Sequence, residues 1–371
     1  MKTPSRISTD RSSQAPRSCN RASFCRALGL TFLGSSVAFL TVASFSGCSG
    51  KTDPDAGPVQ IKDAKEITLY CGRNENQIAP RLKAFEEATG IKVNARYGKS
   101  GVMASQLMEE KDKSPADVVI TQDLGSIGSL DAAGLLVPLE ATTTALLDEQ
   151  HVASSGSYIG ISGRLRSVVY NPNKVKKEDL PASINGFTDP KWKGRIGWAP
   201  QNGSFQAFMT AMRTLEGNTK AIDWLKGIQA NDAKVYEKNR PIIHAVSDGE
   251  VDVGFVNHYY LIQEKAIKPT LAAENYFVTD GGAGAFMNLA CAGVLKSSKR
   301  QAAANQLIAF LLNKDSQTFF AQTNFEIPLI PEVKATANLP NLDSYKTPNI
   351  SFKDLGDLQG TLDLLKEAGA L

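Results

Sequence analysis

Tyr259 and Tyr260 stand side by side in Asn257-His258-Tyr259-Tyr260, directly after Val251–Val256, which reads as a strand. Phenol titrates near 10 and is neutral at pH 7. Ferric iron is small, hard and highly charged and prefers anionic oxygen. Such a cation favours the phenolate and expels the protons on binding. Neighbours in a continuing strand point to opposite faces, but at a strand-to-helix turn two of them can converge. The carboxyl ends of strands are also where open α/β sheets gather their ligands. The plainer reading of the pair is half-buried packing with wet hydroxyls. A second feature is Pro200-Gln-Asn-Gly-Ser204, between a strand and a helix start. Free N–H groups there attract oxyanions, Gly203 permits close approach, and Asn202 and Ser204 add donors. Simple helix capping would use the same residues. Arg164 or Arg166 could fork onto carbonate or phosphate. Only one of the two is expected to face a cleft, the other being a surface charge.

Other chemistry is missing. The three histidines are His151, His244 and His258. There is no HExxH, CxxC, G-x-S-x-G or P-loop, and no Cys/His pair has a zinc-site spacing. The chain is not expected to be an enzyme. An enzyme on the same scaffold would need a polar catalytic pair, and none can be assembled from these residues.

The elements that must position the tyrosines read as α/β. Ile67–Cys71 is a strand, and Ile78, Leu82 and Phe85 mark one face of a helix over 76–89 that stops at Gly90. Pro80 is tolerable only near the first turn. A strand over Ile91–Tyr97, a helix over 101–111 and a strand over Asp117–Thr121 follow, a spacing that means βαβ units and a parallel sheet. Leu165–Tyr170, Arg195–Ala199, Lys234–Tyr236, Val251–Val256 and Leu289–Leu295 are further strands. Helices are expected over 204–215, around 304–311 and over 355–368.

The ends bound the rest. Residues 1–26 carry six bases and one acid, Ala27 to Val42 is apolar and uncharged, and Phe45-Ser-Gly-Cys48 resembles a lipobox. Residues 1–47 therefore read as a lipoprotein-type signal, Cys48 as the acylated residue and 48–65 as a flexible tether. The alternative is an uncleaved membrane anchor. Removing six bases and one acid from totals of 41 and 38 leaves 35 against 37, so no basic surface argues for nucleic acid. A mature chain beginning at Cys48 is too long for a single ordinary core, so two lobes are the default. Cys71 and Cys291, the thiols left beyond Cys48, could pair or stay free.

Several blocks, in this order and spacing, resemble the periplasmic ferric-ion-binding proteins of iron ABC transporters, type II solute-binding proteins also called bacterial transferrins. They are Ile67-Thr-Leu-Tyr-Cys-Gly-Arg73, Phe85-Glu-Glu-Ala-Thr-Gly-Ile-Lys-Val93, Ser114-Pro-Ala-Asp-Val118, Ser162-Gly-Arg-Leu-Arg166 with Val168-Val-Tyr-Asn171, Asp189-Pro-Lys-Trp-Lys-Gly-Arg-Ile-Gly197, Asn257-His-Tyr-Tyr260 and Gly293-Val-Leu-Lys-Ser-Ser298. The resemblance runs from about Ile67 to Pro331. It implies a two-lobed periplasmic-binding-protein type II fold, with mixed, mainly parallel sheets, helices on both faces and crossover strands. One lobe would hold 66–167 plus 290–340 and the other 168–289, with the tail 341–371 packing on the second.

On the same resemblance the cargo is ferric iron held by Tyr259 and Tyr260, beside a synergistic carbonate or phosphate. Asn239 and Asn257 match anion-contacting positions and join Asn202, Gly203, Ser204 and Arg164. Family members that place a histidine after the first strand and a glutamate after the third have Asn74 and Gln122 as counterparts here. Tyr158, Tyr170 and Tyr97 are the further phenols that could complete the set. The implied partners are a permease and an ATPase, and the protein would be an exported, lipid-anchored monomer in the periplasm or on the cell surface. An organic phosphonate or another small anion on the same fold is the competing cargo.

Overall fold

The computed structural model describes residues 64–336, 339–340, 342, 344–348, 350 and 355–371. The signal over 1–47, Cys48 and the tether up to residue 63 lie outside the described residues. The strands are β1 (Glu66–Cys71), β2 (Lys92–Tyr97), β3 (Val118–Thr121), β4 (Leu136–Val137), β5 (Tyr158–Tyr170), β6 (Ile196–Trp198), β7 (Lys234–Val235), β8 (Val253–Asn257), β9 (Glu274–Tyr276) and β10 (Met287–Leu295). The helices are α1 (Ala79–Thr89), α2 (Ser100–Glu110), α3 (Leu124–Ala132), α4 (Ala141–Thr144), α5 (Gly203–Glu216), α6 (Asn218–Ala230), α7 (Asn239–Ser247), α8 (His258–Ile267), α9 (Gln301–Leu311), α10 (Lys314–Gln322) and α11 (Leu358–Glu367).

The strands run in the order β2-β1-β3-β10-β5-β8-β6-β7, with β4 on β10 and β9 on β5. β1 is parallel to β2 and β3, and β6 is parallel to β7 and β8. β5 and β10 supply the antiparallel joins. One strand serves both lobes: β5 pairs with β10 from Tyr158 to Leu165 and with β8 from Arg166 to Tyr170. It is longer than the Leu165–Tyr170 run expected from its apolar residues, because its first half is Ser- and Gly-containing yet fully buried between neighbours.

Strand alternation builds a core on each face of each half. Leu69, Val118 and Ile120 pack under α1 and α9, whereas Tyr70 and Val119 pack under α2 and α3. In the other half Val168, Val253 and Phe255 face α5 and α6, while Val169 and Val256 face α7 and α8. Sheets buried on both faces need the near-continuous apolar strands seen here. α11 contributes Leu364 and Leu365 to the α5–α6 core, and Thr361 Oγ1 lies 2.8 Å from Thr210 Oγ1.

Two glycines fix local geometry. Gly90 caps α1 in the left-handed region at φ 73°, its N–H donating to Glu86 O. At Gly254 an added Cβ would stand 2.2 Å from Ile242 Cγ2, so only glycine lets α7 sit this close to β8. Cys71 and Cys291 are free and buried. They align with Ile120 and Thr121 of β3, which lies between their strands. Two strand spacings are about 9–10 Å, beyond a disulfide's reach.

Candidate functional site

β8 ends at Asn257, whose extended backbone (φ −90°, ψ 146°) turns the chain directly into α8. Tyr259 and Tyr260 thus occupy the first turn of a helix rather than opposite faces of a strand. Their ring centroids are 4.2 Å apart with planes inclined by 31°. Tyr259 is buried and Tyr260 half-buried. Burial holds the Tyr259 phenol well above its ordinary range, the Tyr260 phenol adds to this, and the Arg164 guanidinium opposes it. Without a cation to favour the phenolate, Tyr259 is therefore a neutral phenol at pH 7.

Arg164 and Arg166 are both buried. The expectation that one of them would be a surface charge fails because residues two apart on a strand share a face. They part instead along the strand axis. Arg164 Nη1 donates to Gln122 Oε1 at 2.9 Å, and its Nη2 donates to Gln122 O. Arg166 Nη2 donates to Phe255 O at 3.0 Å, and Nη1 reaches Asn257 Oδ1 at 3.3 Å and Ser204 Oγ at 3.4 Å. Asn257 is its direct cross-strand neighbour. The Arg166 guanidinium also lies over the Phe208 and Phe205 rings, at 5.4 and 5.7 Å. Burial pushes its pKa down to about 9, opposed by Tyr260 and Tyr259, so it remains a cation at neutral pH.

The residues expected at an anion form one network. Asn202 caps α5, its Oδ1 accepting from Ser204 N at 3.0 Å, so the capping role is real. The same oxygen accepts from Ser204 Oγ at 2.7 Å and from Asn239 Nδ2 at 3.3 Å. Asn239 Nδ2 also donates to Ser204 Oγ at 3.0 Å. A Cβ at Gly203 would meet nothing, so packing does not require glycine there. Around this network Arg164 Nε, Arg166 Nε and Asn257 Nδ2 are buried donors without a partner. An unmade buried donor costs about 1–3 kcal/mol, so a cluster of them is a place for an oxyanion.

The other residues expected as ligands have contacts of their own or stand exposed. Tyr158 lies in the core with Leu289 and Cys291, at the far end of β5 from Arg164, and burial pushes its phenol up. Six residues of strand put it about 20 Å along the chain. Tyr170 donates to Glu274 at 2.8 Å, four residues beyond Arg166. Tyr97 stays at the end of β2 beside Glu75, its phenol pushed up to about 12 by burial, with Cys71 and Glu75 adding to it. Asn74 is exposed and makes no capping bond. Gln122 is engaged throughout: beyond Arg164, its Nε2 donates to Gln77 Oε1 at 3.0 Å and its N–H to Ser100 Oγ at 2.8 Å. Its neighbour Asp123 caps α3 by accepting from Ser126 N at 2.7 Å.

Sequence reasoning gave no role to His258, the first residue of α8. Leu165 N donates to its Nδ1 at 3.1 Å and Nε2 lies 2.8 Å from Phe325 O, which assigns the proton to Nε2. Burial pushes it down to about 4, so it is neutral at pH 7. It ties the helix carrying the tyrosines to β5 and to the segment after α10. That segment supplies Glu326, whose carboxylate pairs with the buried Arg73 at 2.5 Å. Its adjacency to the pair was visible in the sequence, but its long-range partners were not.

The profile of bacterial extracellular solute-binding proteins matches residues 81–347. The major ferric iron-binding protein of Neisseria meningitidis is 35% identical over 312 residues, covering 82% of this chain and 93% of that one. The chain belongs to the ferric-iron-binding proteins of the bacterial extracellular solute-binding family. Iron-bound HitA from Pseudomonas aeruginosa superposes with a TM-score of 0.78 at 36% identity, covering 82% of this chain and 99% of the other. Trichodesmium FutA, solved with iron and citrate ligands, gives 0.73 at 27% identity and covers 82% and 99%. This family consists of binding proteins, not enzymes, and its two-lobed α/β architecture is the one found here. Among the described residues no helix is long and apolar enough to cross a membrane, and no group of three or more His, Cys, Asp or Glu could hold a metal ion.

Proposed function

We propose that this protein captures ferric iron between its lobes, with Tyr259 and Tyr260 as phenolate ligands, and delivers it to the permease and ATPase of an ABC importer. The single observation that carries the reading is the stacked phenol pair at the carboxyl end of β8, facing two buried guanidinium groups. Two phenolates leave the remaining coordination of the ion to an exogenous anion such as carbonate or phosphate. That anion would lie on Arg166 Nε, Arg164 Nε and Asn257 Nδ2, with Asn202, Gly203, Ser204 and Asn239 forming the wall behind it. Asn74 and Gln122 contribute at most indirectly.

Mechanically, residues 66–167 with 290–340 act as one lobe and 168–289 as the other, hinged through β5 and closing on the ligand. The signal-like N-terminus and Cys48 support a mature protein that works as a monomer outside the cytoplasm, in the periplasm or at the cell surface, tethered by lipid.

The test is direct. Mature protein mixed with ferric citrate turns orange-red by phenolate-to-iron charge transfer, and the variant with both Tyr259→Phe and Tyr260→Phe stays colourless. A colourless wild type that binds iron no better than the variant would end the ferric reading and leave an organic phosphonate as the cargo to try, by thermal stabilisation. Small-angle scattering should show a smaller radius with iron than without.

A further inference from the structure

A second cluster of charged side chains borders Tyr260. Arg240, the second residue of α7, places its guanidinium carbon 5.7 Å from the centroid of the Tyr260 ring. Two acceptors from α8 hold it there. Nη1 donates to Glu264 Oε1, and Nη2 donates to Gln263 Oε1 at 2.7 Å. The second oxygen of Glu264 meets His244 Nε2 at 2.9 Å. Tyr260 and Glu264 are one turn apart on α8, and Arg240 and His244 one turn apart on α7, so the four side chains interlock across two helices.

The exposures are unequal. The Glu264 side chain is 10% exposed, whereas that of Arg240 is 46% exposed. An arginine that open to water is ordinarily free to choose its rotamer. Here charge-assisted bonds to a buried carboxylate fix it over one aromatic face. A cation over a ring interacts with its π electrons, and more strongly when the ring carries the negative charge of a phenolate.

We propose that Arg240 is a positioning residue for the iron-binding pair: held by Glu264 and Gln263, it fixes the Tyr260 ring against Tyr259 and tunes the phenolate that Tyr260 offers to iron. This rests on the reading of that pair as the ferric site. A fixed cation over the ring lowers the energy of the phenolate donor electrons. It therefore raises the energy needed to move one of them onto iron, and the absorption band reports this directly.

The test compares iron-loaded wild type with Arg240→Met, Arg240→Lys and Glu264→Gln. Arg240→Met keeps the stem and removes the charge. It moves the charge-transfer band to longer wavelength and speeds loss of iron to excess citrate by about two- to fivefold, the scale of one partly exposed cation–π contact. Arg240→Lys restores part of the band position, because the charge returns without the fork. Glu264→Gln gives a smaller shift in the same direction. A purely structural clamp would change thermal stability or release rate but leave the band where it was. An unmoved band in all three variants therefore overturns the proposal while leaving the ferric reading intact. A colourless wild type overturns both.

Discussion

The two walls that meet at β5 differ in how their polar groups are used. On the side of the first lobe, Arg164, Gln122 and Gln77 form a chain of bonds in which Gln122 has a protein partner at each end. Arg73 Nη2 likewise pairs with Glu326, and its Nη1 donates to Ser162 Oγ. On the side of the second lobe, the phenols and Asn257 sit beside donors left open, and Arg166 stands on an aromatic floor of Phe205 and Phe208. The first wall commits the Gln122 amide and the Nη groups of Arg73 and Arg164 to protein partners, leaving Arg73 Nε, Arg164 Nε and Glu326 Oε1 open, whereas the second carries both phenols beside the open Arg166 Nε and Asn257 Nδ2. On the proposed ferric reading, the wall that carries both phenols is the one expected to load iron first.

Breaking the phenol-bearing wall should have the largest effects. Either Tyr259→Phe or Tyr260→Phe alone is expected to abolish retention of iron against excess citrate while shifting thermal stability by only a few degrees. Equilibrium dialysis with labelled iron measures the first and calorimetry the second. Retention by both single variants at the wild-type level would mean that the phenol pair is not where iron sits. Removing the floor acts through stability instead. Phe208 is fully buried and in edge contact with Phe205 and Trp224. Phe208→Ala should cost about 3–5 kcal/mol, read from urea unfolding.

The coupling between the walls can be sharpened through His258. The pKa of its imidazole in the fold, pushed down to about 4 by burial, lies below the unfolded value of 6.5. Below pH 6.5 the unfolded chain takes up a proton that the native state refuses. The contribution is therefore complete above pH 6.5 and is lost as pH falls toward 4. At 1.36 kcal/mol per pH unit, about 3 kcal/mol disappears across that window. Metal-free wild type should lose stability steeply there, and His258→Gln should show a flatter profile from a lower starting point. Parallel profiles would place the acid sensitivity in other groups.

How much of this could be read in advance differs by element. β1, β2 and β3 lie within one residue of their apolar patterns, and α1 ends where expected but starts three residues later, after a 3-10 turn over Glu75–Gln77, because a two-sided core imposes runs such as Val-Val-Ile and a helix face such as Ile78, Leu82 and Phe85. The first half of β5 was missed because Gly160, Ser162 and Gly163 carry no strand signal, and it is held by pairing with β10, 120 or more residues away. The phenol pair was legible since adjacency at a strand-to-helix turn is a local property. The partners of Gln122 were not, because Arg164 and Gln77 reach it from 42 and 45 residues away. Placing Arg164 and Arg166 on opposite faces was an error of parity: period 2 sends i and i+2 to the same side.

The first-lobe wall, which carries no phenol of the pair, gives the smaller effects, and they test whether the asymmetry is real. Gln122→Ala removes the acceptor of Arg164 Nη1 but leaves the backbone acceptor of Nη2, so about 1–3 kcal/mol of stability should be lost. Iron retention should fall by less than about tenfold, the lower end of what a displaced supporting residue costs a metal site. Asn74 is exposed and uncommitted, so Asn74→Ala should stay within about 0.5 kcal/mol of wild type and leave the iron band untouched. The informative outcome is the ranking. If Asn74→Ala weakens iron more than Gln122→Ala does, the first lobe supplies a ligand from its rim on closure, and the two walls share the metal.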